Sequence, residues 1–262
     1  MRKLIFLIIV IPTIGFSQGK LSQAKGQLSS RSSNSNSNST NDSATEAESN
    51  SENILKEAVT EILLLISFKI VLGDMKARYF SPYPYYFDNV KGEYDFGFEK
   101  GDKRSLVNLD VNYLLDNFSN SLEVGLNYRF IPILGVDLSH QSFFEHELGG
   151  TDYLDVTSLM LNYYRFRERS FTGWFGMGAT YVGNEVKTFG FAYNLGLDVY
   201  LINPISASFA YKQSFINSSQ INTVKYQLKY HLKRWAFYLG YHHTSLGGVR
   251  VSGVVTGIQA RI

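Results

Sequence analysis

The sequence predicts an all-β fold: a ten-stranded antiparallel up-and-down transmembrane β-barrel with one N-terminal amphipathic helix, with eight and twelve strands as the bounds on the count. Two observations predict it. From about Ser105 to Ile262, apolar and aromatic residues alternate with Asn, Ser, Gly, Thr and scattered charges, and a period of two means strands with two unlike faces. About ten such segments follow one another with no helical pattern between them, which calls for a sheet closed on itself. Between Thr188 and Leu201, for example, Phe189, Phe191, Tyr193, Leu195, Leu197, Val199 and Leu201 share one face, and Thr188, Gly190, Ala192, Asn194, Gly196 and Asp198 the other.

Residues 1–17 read as a secretory signal peptide. Arg2-Lys3 precede the apolar run Leu4–Ile14, and small residues Gly15 and Ser17 close it. Residues 18–51 are rich in Ser and Asn and read as a disordered tether, because such a composition buries too little apolar surface to offset ordering. Over residues 52–73, Ile54, Leu55, Ala58, Val59, Ile62, Leu63, Ile66 and Ile70 recur at helical spacing, and Gly73 ends the pattern. This predicts the amphipathic helix, with its apolar face offered to the barrel, the lipid interface or a partner. Residues 74–104 are aromatic, but Pro82 and Pro84 oppose a central strand. They read as a proline-bent strap leading to the barrel.

The barrel occupies residues 105–262, with strands placed near 105–115, 120–130, 134–143, 154–166, 170–182, 187–200, 204–214, 220–231, 235–244 and 249–261. Connections near Ile131-Pro132, Arg167–Arg169, Asn203-Pro204 and Lys233-Arg234 are tight. Those near 116–119, 144–153, 183–187, 215–220 and 244–248 are expected to be mostly longer. Short turns at one rim and longer loops at the other are the pattern of barrels that span a membrane. An even strand count puts both ends of the barrel at the tight-turn rim, where the N-terminal tether is expected to arrive.

Three features turn the apolar face outward. Small residues such as Gly125, Gly135, Gly176, Gly196 and Gly240 crowd the polar faces, which suits a narrow lumen. Aromatics gather toward both ends of the apolar faces: Tyr128, Phe130, Phe171, Tyr230 and Trp235 near the tight turns, and Tyr113, Phe189, Tyr211 and Tyr241 toward the loops. Such rings form interfacial girdles. Strands of this length, tilted by about 40°, also rise roughly 25–33 Å, enough to cross an apolar band of about 25 Å. On this alternation and these turns, residues 105–262 resemble the small outer-membrane β-barrel proteins of Gram-negative bacteria. The resemblance implies the cell outer membrane, a periplasmic N-terminal segment, surrounding outer-membrane lipid and the barrel-insertion machinery during biogenesis. Such barrels commonly close on an aromatic residue; Ile262 stands there instead.

Ten strands give a backbone diameter of about 20 Å, so side chains fill most of the lumen. The inward positions predict a mixed-sign charge network of Asp110, Glu123, Arg129, Asp137, Asp198, Lys212, Lys225, Lys229 and Arg261. Charges in such a lumen must pair or stay wet. The function expected is a structural, scaffolding or envelope-complex role, with an envelope protein as partner through the helix over 52–73. The alternatives are a small pore for polar solutes, and a cell-surface hydrolase, lipid A deacylase-like or omptin-like, at the loop rim.

The chain is expected not to be an enzyme. His140, His146, His242 and His243 lie toward the loops, with Glu145, Glu147 and Asp152 in the longest of them, but in no recognisable catalytic spacing. His242 is predicted inward and His140 and His243 outward, with no Ser–His or His–Asp pair within reach at the loop end. No catalytic, metal or cofactor residue is assigned, and no cofactor is expected. The absence of cysteine excludes disulfides, thiolate metal sites and Cys nucleophiles. With a net charge of +2 and no basic tract, nucleic acid is not an expected partner.

Overall fold

The computed structural model describes residues 19–30, 79–86, 91–96, 103–116, 119–147 and 150–262. Its body is a closed antiparallel barrel of ten strands in sequence order: β3 (Leu106–Leu115), β4 (Ser119–Ile131), β5 (Leu134–Glu147), β6 (Gly150–Arg167), β7 (Phe171–Val182), β8 (Thr188–Ile202), β9 (Ile205–Ile216), β10 (Ser219–Leu232), β11 (Trp235–Leu246) and β12 (Val249–Arg261). Pairing of β12 with β3, through Gln259 opposite Asp110, closes the ring and leaves no free edge. Before the barrel come helix α1 (Lys20–Ser29) and the two-residue strands β1 (Tyr79–Phe80) and β2 (Tyr94–Asp95), which pair with each other.

Burial alternates as the sequence pattern requires. Phe189, Phe191, Leu195, Leu197 and Leu201 are exposed on the outer surface, Phe189 to 73%, whereas Ala192 on the opposite face is fully buried. Tyr128, Phe130, Phe171, Tyr230, Trp235 and Tyr241 are likewise exposed. A barrel wall this apolar is stable facing lipid, not water. Inside, some glycines make room for large neighbours. A Cβ on Gly196 would stand 2.2 Å from the Trp174 ring, and one on Gly257 would stand 2.3 Å from that of Tyr238.

The connections differ from expectation. The four turns at one rim (residues 132–133, 168–170, 203–204 and 233–234; the turn rim) are tight as read. At the other rim, here the loop rim, three of the five connections have two residues and the longest spans 183–187. Most of the stretch 144–153 is strand. Strands β5 and β6 continue through it in register, with Phe144 opposite Tyr153 and Glu145 opposite Asp152. At residues 247–248 the two-residue hairpin needs positive φ, and two glycines supply it, at 60° and 101°.

The N-terminal elements also depart from the reading. Residues 20–29, placed in the disordered tether, form α1, and the tether's remaining residues from 31 lie outside the described residues. So do the signal peptide (1–17) and the helix expected over 52–73. Instead of meeting the turn rim, α1 lies in the mouth of the loop rim. It buries Leu21, Ala24 and Leu28 among inward-facing Leu114, Phe143, Leu154, Val182, Ile216 and Leu246. The described parts of the strap, residues 79–86 and 91–96, close on the turn rim and add no strand to the barrel.

Candidate functional site: the lumen, its two mouths and the loop-side wall

The interior is layered. At the loop rim the inward residues are mainly apolar and hold α1, a ten-residue helix too short to be stable alone. The barrel satisfies both ends of it. Glu145, fully buried, accepts the backbone N–H of Lys20 (3.0 Å) and Leu21 (2.6 Å), a carboxylate at a helix N-terminus where orphan donors and the helix dipole favour it. At the other end, Ser219 Oγ donates to Gln27 O (2.8 Å) and Asn217 Nδ2 to Leu28 O (2.6 Å). Lys25 is held between Asp152 and Glu185. Burial works against its ammonium, but the two carboxylates outweigh this and raise its pKa above the usual lysine value.

Below α1 lies a ring of hydroxyls, with Thr180 Oγ1 2.9 Å from Ser158 Oγ and 2.8 Å from Ser214 Oγ. Lys212 Nζ donates to Ser158 (2.8 Å). Then come the predicted charges. Glu123 takes Lys225 in a bidentate contact (2.6 Å to Oε2). Asp198 stands 3.8 Å from Lys229. Asp137 accepts Asn127 Nδ2 at 3.3 Å. Asp110 packs against Gly125, where any Cβ would lie 2.2 Å from its carboxylate. Asp110, Asp137 and Lys225 line two polar cavities of about 150 and 120 Å³, each large enough for several waters.

Arg129 and Arg261, the last two predicted members, are joined by a residue the sequence reading did not assign. Glu93, from the strap, is 1% exposed and pairs with Arg129 and with Arg261 Nη2 (2.8 Å). Burial pushes its carboxyl up, yet the two guanidinium charges bring it down to about 2. Arg129 also donates to Tyr94 Oη (3.1 Å) and lies 3.8 Å above the Tyr164 ring. No sequence signal singled out Glu93, which lies in the strap and meets the two arginines only once the barrel is closed.

Of the histidines, His242 points inward as read, is 1% exposed and contacts Gln227 Nε2 through its own Nε2 at 3.0 Å. His140 and His243 point outward. The expectation of no Ser–His pair at the loop end is overturned. His140 Nε2 lies 3.3 Å from Ser142 Oγ, and His243 Nδ1 contacts Ser252 Oγ. Ser142 also donates to Asp155 Oδ1 at 2.6 Å, and His140 Nδ1 is 2.8 Å from Thr157 Oγ1. The reading missed this group because it placed His140 and Ser142 on the strand near 134–143, and Asp155 and Thr157 on the strand near 154–166, without a register between the two; the β5–β6 pairing brings them opposite. Among the described residues, no cluster of three or more His, Asp or Glu is arranged to hold a metal ion.

No protein-family model and no curated protein matches the sequence. Several solved structures are similar in fold. The KdgM porin is 10% identical, with a TM-score of 0.39, covering 58% of this chain and 98% of that one. The N-terminal β-barrel domain of Pseudomonas aeruginosa OprF is 12% identical, with a TM-score of 0.33, covering 61% and 98%. Ail of Yersinia pestis in a phospholipid nanodisc is 14% identical, with a TM-score of 0.34, covering 60% and 98%. Likeness at these levels bears on no particular residue. The architecture rests on the chain's own geometry: it is a small outer-membrane-type β-barrel, closed, apolar outside and charged inside.

Proposed function

We propose that this barrel is a structural component of the outer membrane that does not conduct, closed at both mouths by its own N-terminal residues. The observation that carries the reading is α1. A short helix is seated in an apolar mouth, with its first N–H groups on Glu145 and its last carbonyls on the β9–β10 turn. A pore has no need of an apolar layer across its entrance. Burying Leu21 and Leu28 stabilises the closure by roughly 1.5–3 kcal/mol each. At the opposite mouth Glu93 ties the strap to two strands at once. Between them the predicted charges meet a charged or polar partner or face cavities of no more than about 150 Å³, which supports a filled lumen.

Planar-bilayer recording tests this. The full chain, shown to be folded by its altered migration on unboiled gels, is expected to be electrically silent. Leu21→Asn/Leu28→Asn, which removes the apolar anchor of α1, reports whether the helix is the closure. Steady single-channel currents from the unaltered chain would replace this reading with that of a small pore for polar solutes. In that case Lys225→Glu should change the ion preference.

A further inference from the structure

Four polar residues form an island on the lipid-facing wall near the loop rim. His140 and Ser142 are on β5, directly opposite Thr157 and Asp155 on β6. All four alternate with buried inward neighbours, among them Gln141, Phe143, Leu154 and Val156. Apolar pairs border the island along the wall: Leu138 with Leu159 on the barrel side, Phe144 with Tyr153 on the rim side. Leu122 and Val124 of β4 flank it and are exposed. Strand β7 ends its pairing with β6 at Val156, so Asp155 stands at the height where neighbouring strands give way to connections. Tyr113 is in the same row, opposite Leu122, which is opposite Ser142, and outward rings of this kind sit where headgroups meet acyl chains.

Polar side chains facing lipid are costly unless they satisfy one another or serve a purpose. Here the arrangement is chemical as well as satisfied. One serine hydroxyl has a carboxylate at 2.6 Å and an imidazole nitrogen at 3.3 Å. The other imidazole nitrogen is fixed by Thr157 Oγ1, which sets the tautomer if the hydroxyl accepts Nδ1–H and leaves the Nε2 lone pair facing Ser142. Asn184 accepts Asp155 N–H through Oδ1 at 2.8 Å and carries two amide donors at the same place. A nucleophile within reach of a base that is itself oriented by a third group is the signature of covalent acyl transfer.

We infer that Ser142, His140 and Asp155 form a lipid-facing serine hydrolase site for the acyl esters of membrane amphiphiles. Ser142 Oγ attacks the ester carbonyl carbon while its proton passes to His140 Nε2, after rotation of the hydroxyl away from Asp155. The tetrahedral adduct expels the alcohol, which takes that proton. A water molecule then gives a proton to Nε2 and its oxygen to the acyl-serine. The carboxylic acid leaves and Ser142 regains its hydrogen, so the net change is ester plus water to acid plus alcohol. Asp155 is a positioning residue: it holds the serine side chain. The apolar residues around the island would carry the acyl chain.

The test uses the full chain, folded in detergent and in bilayers. A fluorophosphonate probe should label it, with the label on Ser142 by peptide mass analysis. Free fatty acid should be released from either phosphatidylethanolamine vesicles or lipopolysaccharide micelles; which of the two identifies the lipid class. Ser142→Ala should abolish label and release, and His140→Gln should lower turnover by about 10²–10⁴-fold, both with unchanged migration on unboiled gels. Folded protein that takes no label and releases nothing from either lipid overturns the assignment. So does activity that persists in Ser142→Ala or a label found at Ser252. The closed-lumen reading is independent of this result, since conductance tests it and ester cleavage does not.

Discussion

Removing the charge of Glu93 by Glu93→Gln should release the strap from the barrel. The carboxylate is buried and holds Arg129 and Arg261 at once. Its pKa falls from an ordinary 4.5 to about 2 on folding, which at about 1.4 kcal/mol per unit corresponds to about 3 kcal/mol. Breaking a buried pair by removing one partner costs about 3–5 kcal/mol, because the other charge is left uncompensated. The two figures agree. The loss falls on the strap, since the ten strands keep their ladder without it. The assay is limited proteolysis of residues 79–96 in folded protein, alongside thermal loss of the unboiled gel form. Glu93→Gln should speed cleavage roughly a hundredfold while the barrel transition moves less. Equal cleavage rates in the two proteins would refute the claim that Glu93 anchors the strap.

The same anchor has a pH signature with a fixed sign. A depressed folded pKa gives stability that is complete above the ordinary value and is lost as pH falls toward the folded one. Strap protection should therefore be full above about pH 4.5 and decay toward pH 2. Glu93→Gln should show no such decay attributable to this position.

Other perturbations probe other layers. Glu123→Gln leaves Lys225 without its carboxylate and should destabilise the barrel by about 3 kcal/mol in denaturant titration. Gly196→Val drives a side chain into Trp174 and should cost about 1–3 kcal/mol, read as a lower midpoint of the unboiled gel form. Leu239→Arg, at a position 61% exposed on the outer wall, should cost about 2–4 kcal/mol in a bilayer; no effect would contradict a lipid-facing wall. Glu145→Ala removes the acceptor for the first N–H groups of α1 and should loosen the helix by about 0.5–2 kcal/mol, seen as faster amide exchange of residues 20–29.

The barrel was legible because its information is local and repeated. Each strand carries its own two-residue period, so Phe189 to Leu201 and Thr188 to Asp198 declare their faces without reference to any other segment. The same parity selects the predicted charges, Asp110, Glu123, Lys225 and the rest. What parity does not provide is partnership. Glu123 finds Lys225 across the lumen, a contact set by barrel closure, and Arg129 finds Glu93 outside the barrel sequence altogether. Strand ends were hidden too. Phe144–Tyr153 contains Glu-His-Glu and Gly-Gly, which read as a loop, yet register with the partner strand carries both β5 and β6 through most of it.

Helix α1 shows the limit most sharply. Its sequence, Lys20–Ser29, has only Leu21, Ala24 and Leu28 as apolar residues on one face, with Gly26 inside the helix and Gly19 and Ser30 at its ends. By propensity it is a poor helix, and its neighbours resemble a polar tether. The signal for it lies elsewhere in the chain, in inward positions that break the polar rule at the loop rim: Phe143, Leu154, Val182, Ile216 and Leu246. A barrel mouth lined with such residues cannot stand open to water without cost, so it demands an apolar cover. Three apolar residues at i, i+3 and i+7 are the smallest stripe a helix can offer. The barrel completes that helix by supplying its apolar surroundings, its N-terminal carboxylate and its C-terminal donors. Closure of the loop rim is therefore encoded mainly in the strands, and changing Glu145 or Phe143 should disturb α1 as surely as changing α1 itself.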